Sequence, residues 1–186
     1  MATALLVIDV QQSFTARAYF RSEGVAEFLA QQNALIAGAV AQGLPVVRIF
    51  HVDPPTDAAN QPFTHASGLI RPLEGLAPFE PALTIEKTRH SALAGTPLAI
   101  WLRERGITRL IVSGIRTEQC CETTTRHASD EGFEVDYVTD ATLTFDMQTP
   151  AGATLTAAQI RERTETVLAG RFAAICSVEQ ALQRAR

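Results

Sequence analysis

The sequence predicts an α/β fold: a single domain over residues 1–186, with a doubly wound, mostly parallel six-stranded sheet and helices on both faces. Two observations predict it. Six short apolar runs of strand length recur along the chain, and helical patterns closed by glycine separate most of them. Alternation of that kind means parallel strands joined by helical crossovers. The length suits one hydrophobic core, and 46% hydrophobic with 19% charged residues is an ordinary globular composition.

Each element follows from its residues. Ala4–Ile8 ("ALLVI") is a buried-strand run, and the alanine-rich stretch Glu23–Gly43 reads as a helix with Gly43 as its stop. Pro45–Phe50 and Ala82–Glu86 are the second and third strands. "TPLAIWLRERG" places Thr96 as N-cap, Pro97 at the first helical position and Gly106 at the end. Thr108–Gly114 is the fourth strand, Thr117–Gly132 a helix, and Phe133–Thr139 the fifth strand. Thr156–Gly170 is a helix, Phe172–Cys176 a strand and Val178–Arg184 the last helix. The stretch Asp53–Pro81 breaks the rhythm and carries six of the nine prolines. It reads either as a surface connection or as a proline-stiffened wall over a binding site.

Charge and composition narrow the function classes. A net charge of −4 argues against nucleic acid as a partner, which would call for a basic patch or stripe. Lysines and arginines form no membrane-surface cluster, and no apolar run approaches the ~18 residues of a membrane span. Three cysteines, an odd number, fit free thiols in a reducing compartment. "MATALLVIDV" lacks a basic leader and Asp9 interrupts it, so no signal peptide is expected. The expectation is a soluble, cytoplasmic protein acting on a small molecule. No G-x-G-x-x-G follows the first strand, which disfavours a dinucleotide-binding module.

In open parallel sheets, ligands bind beyond the carboxyl ends of the strands. Asp9, Lys87 and Cys120 all fall at such ends, although they are distant in sequence. Each also has a plainer reading: a turn-capping aspartate, a solvated lysine, a small core thiol. Asp9, however, ends a run that should be buried, and a buried carboxylate needs a partner. With Thr117 as N-cap, Cys120 lies in the first helical turn, where unpaired amides favour thiolate. Cys121 is rotated about 100° from it and shares a face with Thr124, Thr125 and Ala128, so it reads as packing. Asp9 can take a thiol proton, Lys87 can position the carboxylate and favour thiolate, and backbone amides near Cys120 can hold an oxyanion. These are the parts of acyl transfer to sulfur followed by hydrolysis.

At this point the chain resembles the isochorismatase-like cysteine hydrolases along nearly its whole length. The residues that carry the likeness are "LLVIDVQQSF", "EKTRHSALAGTPLAIWLRERGI", "LIVSGIRTEQCCETTTRHASDEGFEVDYVTDAT" and "FAAICSVEQAL". The resemblance implies a doubly wound, Rossmann-like α/β sheet, a homo-oligomer, and an Asp9–Lys87–Cys120 triad. It also implies a cis peptide between Ile115 and Arg116 that turns the Arg116 amide beside that of Cys120 as an oxyanion hole. A cysteine at position 120 favours the amidase branch, which includes nicotinamidase and carbamoylsarcosine amidase. The nicotinamidase branch often adds a metal through Asp-x-His and a later His. Here the order is reversed, with His51 and Asp53, and His65 as a possible third ligand. The expectation is no metal and no other cofactor; His51 reads equally as a strand-end side chain or a substrate contact. Phe14, Phe50, Phe145 and His90 are candidates to line the site, and the Arg116 side chain is a candidate contact for an anionic substrate. His127 has no assigned role. The alternatives are another carbonyl or vinyl-ether substrate, or a catalytically silent oligomeric relative, which would have no chemical need for all three triad residues.

Overall fold

The computed structural model describes residues 2–55 and 58–186. Six parallel strands form the main sheet in the order β3-β2-β1-β4-β5-β8: β1 Ala2–Ile8, β2 Val46–His51, β3 Leu83–Lys87, β4 Ile107–Ile115, β5 Glu134–Leu143 and β8 Ala174–Ile175. The chain first builds outward from β1 through β2 to β3, then returns to β4 on the other side. The switch point between β1 and β4 is where a doubly wound sheet opens its ligand crevice.

The alternation of strand side chains sorts the core into two layers. Ala4, Leu6 and Ile8 of β1, with Leu110 and Val112 of β4, face α2 (Leu98–Glu104), α3 (Glu122–Asp130) and α4 (Ala157–Leu168). Leu5 and Val7, with Ile111, face α1 (Val25–Ala41) and α5 (Val178–Arg184). Both α4 and α5 begin with capping boxes, Thr156 with Gln159 and Ser177 with Gln180, each satisfying two otherwise orphaned amides. Among the described residues, no helix is long and apolar enough to cross a membrane.

Gly114 fixes the switch point. Its φ is 129°, and a Cβ there would lie 1.9 Å from the Ile8 carbonyl oxygen. Only glycine lets β4 approach β1 so closely, and Ile8 and Gly114 are register partners.

Several expectations shift. β5 continues to Leu143, past Thr139, and β8 is only two residues long. An antiparallel ribbon of β6 (Met147–Gln148) and β7 (Thr154–Leu155) was not expected. α2 starts at Leu98, so Pro97 is the cap position, although the Thr96 hydroxyl still accepts the Leu98 amide at 3.3 Å. Thr117 is not a cap: Arg116 precedes the helix, and the Thr117 hydroxyl bonds that of Thr142 at 2.8 Å. The proline-rich stretch is laid over the sheet's carboxyl end. Leu73 donates to the Val10 carbonyl at 3.0 Å, Gln12 to Arg71 at 2.9 Å and Asp53 to Phe63 at 2.8 Å. Residues 56 and 57 of it lie outside the described residues.

Candidate active site

The site starts from a backbone turn. Asp9, directly after β1, has φ 52°, a left-handed conformation that few residues other than glycine adopt and that aspartate tolerates better than most. Its amide still donates to Ile49 at 2.9 Å, so the turn begins while β1 is held by β2. Two residues on, the buried Gln11 side chain behaves as an extra rung between these strand ends. It accepts the His51 amide at 2.7 Å and donates to the His51 carbonyl at 3.0 Å.

Lys87, the last residue of β3, pairs in register with His51. Its ammonium lies 2.8 Å from Asp9 Oδ2, and both side chains are 0% exposed. A sealed ion pair persists only with good geometry and further partners. Lys87 Nζ has them at 3.1 Å from His51 Nδ1, 3.1 Å from the Arg89 carbonyl and 3.4 Å from Cys120 Sγ. An ammonium has three protons to donate, so four acceptors share them. Asp9 Oδ1, in contrast, has no hydrogen-bond partner among the described residues.

These contacts set the charges. Burial alone would lower the Lys87 pKa, but Asp9 and Cys120 outweigh it and hold it above its usual value. Burial, followed by the charge of Asp9, pushes the Cys120 thiol well up, and Lys87 offsets this only in part. The expected bias toward thiolate is therefore opposed: burial beside Asp9 favours the protonated thiol. Burial of the sulfur beside a carboxylate works against the helix-start effect. With Nδ1 facing an ammonium and Nε2 3.0 Å from Asp53 Oδ1, His51 is assigned the tautomer that accepts at Nδ1 and donates at Nε2.

The two neighbouring cysteines separate cleanly. Cys121 is 0% exposed and packs in the core, with Thr124, Thr125 and Ala128 also buried. Cys120 faces a cavity of about 280 Å³. Asp9, His51 and His90 share the lining with it, as do Phe14 and Arg116. His90 Nδ1 is 3.8 Å from Cys120 Sγ. Burial, then the charges of Lys87 and His51, lowers the His90 pKa, favouring the neutral ring. The peptide joining Ile115 to Arg116 is cis.

Other expectations are corrected. Phe145 does not line this cavity; it packs against Tyr19 and Phe20 with ring centroids 5.5 and 5.3 Å apart and lines the neighbouring one. Phe50 is buried within β2 and is also outside the lining. His65, with a side chain 64% exposed, is 3.0 Å from Glu86 rather than beside His51 and Asp53, so these three residues do not fit a metal. Donor atoms of Asp9, His51 and Cys120 do lie within 4.8 Å of one another. The Lys87 ammonium is hydrogen-bonded to all three residues, so a cation already occupies that position.

The sequence reading also missed residues. Arg17, Tyr19, Phe63 and Gln119 line the cavity. The first three come from irregular segments where periodicity carries no signal. His127, left without a role, hydrogen-bonds the Ser91 hydroxyl at 2.8 Å, while the Ala92 amide donates to Thr124 at 3.0 Å. Together they fasten the loop after Lys87 to the helix that follows Cys120.

The profile of the isochorismatase domain matches residues 3–180. The isochorismatase family protein YrdC of Bacillus subtilis is 27% identical over 179 residues, which cover 95% of this chain and 92% of that protein. Nicotinamidase 3 of Arabidopsis thaliana is 40% identical over 83 residues, 45% of this chain and 41% of its own length. The solved structure of an isochorismatase from Pseudomonas putida superposes with a TM-score of 0.81 at 29% identity, covering 95% of this chain and 88% of that one. A match of this extent, on this sheet order, places the chain in the isochorismatase family of hydrolases.

Proposed function

We propose that the protein is a cysteine hydrolase that cleaves a small amide or related C–N bond through a thioester on Cys120, with Asp9 and Lys87 as its partners. One observation carries this reading. A fully buried ammonium touches both a carboxylate and a thiol, and the carboxylate keeps one oxygen without a partner among the described residues. Structural ion pairs do not need a thiol at the edge of a cavity.

The chemistry follows from the charges. Burial beside Asp9 favours the protonated thiol at rest, so its proton must leave as sulfur bonds to the substrate carbonyl carbon. Asp9 Oδ1 is the acceptor with free capacity, and the Lys87 ammonium stabilises the sulfur as it becomes anionic. The backbone amides of Arg116 and Cys120 hold the carbonyl oxygen as it gains charge. The C–N bond then breaks, and protonated Asp9 returns its proton to the departing nitrogen. A water molecule, deprotonated by Asp9, attacks the thioester; the carboxylic acid leaves and the thiol is restored. General acid–base transfer of this kind contributes about 10²–10⁴-fold. The match to nicotinamidase 3 supports an amide as the substrate.

The test is ammonia release across a panel of small primary amides, with and without chelator. At least one amide should turn over, and chelator should leave the rate unchanged. Cys120→Ala should lose at least about 10³-fold in kcat, whereas Cys121→Ala should retain kcat within about threefold, because Cys121 only packs. Unchanged turnover in Cys120→Ala would end the proposal.

A further inference from the structure

We infer that His90 is a further catalytic residue: its Nδ1–H donates a hydrogen bond to the Cys120 sulfur while that sulfur is anionic. This inference rests on the cysteine-hydrolase reading and adds the group that supports the sulfur from the cavity side.

The need comes from how Lys87 is shared. Its ammonium protons also serve Asp9, His51 and the Arg89 carbonyl, so the sulfur has only a shared claim on them. Cys120 is 6% exposed, so water gives little help, and a buried anion requires donors. His90 Nδ1 is 3.8 Å from Sγ. The two nitrogens reach the sulfur from different sides. The Lys87 side chain is 0% exposed and comes from the sealed interior, whereas His90 lines the cavity together with Cys120.

The ring is also held in place. The residues on either side of it are anchored. The Arg89 carbonyl accepts from Lys87 Nζ at 3.1 Å. The Ser91 hydroxyl bonds His127 Nδ1 at 2.8 Å and accepts the Leu93 amide at 3.2 Å, and the Ala92 amide donates to Thr124. Thr124 and His127 belong to α3, which follows Cys120 directly in the chain. The segment that carries the imidazole is thus tied to the helix that carries the sulfur. The ring itself stacks on His51, with centroids 6.3 Å apart and planes 22° from parallel. Donors fixed in advance act on developing charge without a cost of reorganisation.

Proton placement gives the ring its role. In the proposed reaction Asp9 Oδ1 takes the thiol proton, so the sulfur turns lone pairs toward His90. Nδ1 is therefore assigned the proton and Nε2 the lone pair. Burial, then the charges of Lys87 and His51, keeps the ring neutral. A neutral donor supports the sulfur without setting a second cation beside Lys87. No proton passes through His90. It donates its hydrogen bond as the sulfur attacks the carbonyl carbon, and again as the sulfur leaves the thioester.

Two variants of nearly equal shape test this. Asparagine keeps an N–H donor close to where Nδ1 stands, and leucine has none. Alkylation by iodoacetamide at about pH 8, followed by mass mapping, reads the thiolate share of Cys120 without any substrate. His90→Leu should alkylate Cys120 about tenfold more slowly than the wild type, the worth of one hydrogen bond to a charged group. His90→Asn should recover most of that loss. Equal rates in the two variants, or the wild-type rate in His90→Leu, overturns the inference. Cys121, 0% exposed, stays unlabelled in a folded variant, so the same map reads folding. If either variant unfolds, His90→Gln and His90→Met form a second matched pair with the same expected order. Ammonia release by the unaltered enzyme is read separately. Slower alkylation in His90→Leu without ammonia release removes the amide reading and keeps the sulfur donor; ammonia release with equal alkylation in all three proteins does the reverse.

Discussion

Asp9 and Glu122 are both carboxylates nearly sealed from water, at 0% and 5% exposure, and they are partnered in opposite ways. Glu122, two residues beyond Cys120, is saturated. Its Oε1 accepts from Arg126 Nε at 3.0 Å and lies 2.9 Å from Arg126 Nη2. Its Oε2 accepts from Arg163 and from the Thr164 hydroxyl. It ties the helix after Cys120 to α4. Asp9 has Lys87 on one oxygen and no hydrogen bond among the described residues on the other. A carboxylate buried to hold structure fills its acceptor sites; one buried to move a proton must keep a site open, and stability is lost for it.

The sharpest way to break this comparison is to neutralise both. Asp9→Asn should lower kcat by about 10²–10⁴-fold, because the amide cannot take the thiol proton. Glu122→Gln should leave kcat within about threefold and lower stability by about 1–3 kcal/mol, since Arg126 and Arg163 keep access to water. Ammonia release and denaturant melts on the same samples check both. A loss of kcat in Glu122→Gln as large as in Asp9→Asn would erase the distinction.

Gly114→Ala sharpens it from the backbone side. The new Cβ would meet the Ile8 carbonyl oxygen at 1.9 Å in a backbone conformation with φ 129°. Either β1 or β4 must shift, and the residue after Ile8 is Asp9. Destabilisation of about 3 kcal/mol or more is expected, together with loss of turnover in whatever folds. Glu122, held by α3 and α4, should keep its ion pairs. Differential scanning calorimetry and the ammonia assay check the variant; wild-type activity in it would mean that Asp9 does not depend on this close approach.

The strand ends were legible in the sequence because apolar runs of strand length mark where a parallel sheet stops, and residues at those ends meet at one edge. Asp9, Lys87 and Cys120 could therefore be picked out from position alone. What could not be read depends on contacts between distant segments. Thr117 has the residue type of a cap, yet its hydroxyl goes to Thr142, far along the chain. The upward shift of the Cys120 pKa comes first from burial, which no local pattern reports. Tyr19 and Phe63 reach the cavity from segments with neither helical nor strand period. Met147–Gln148 and Thr154–Leu155 are two residues each, too short for alternation to show.

The smallest expected effect concerns acid. Where Glu122 is ringed by cations, the cluster around Asp9 also holds the neutral ring of His90, which faces Lys87, His51, Asp9, Asp53 and Cys120. Burial lowers the His90 pKa first, Lys87 and His51 lower it further, and Asp9 and Asp53 only partly oppose them. Above the ordinary value of 6.5 the ring is neutral in both the folded and unfolded chain, so pH has no leverage through it. As pH falls below 6.5, the unfolded chain takes up a proton before the folded one does, and stability declines until the folded pKa is passed. His90 is substantially exposed, so the decline is small. Denaturant midpoints at pH 7 and pH 5, compared between the wild type and His90→Gln, should show a shallower acid-side loss in the variant. Identical slopes would mean that His90 titrates as freely in the folded protein as in the unfolded chain, and that the positive charge of Lys87 is fully absorbed by Asp9 before it reaches the mouth of the cavity.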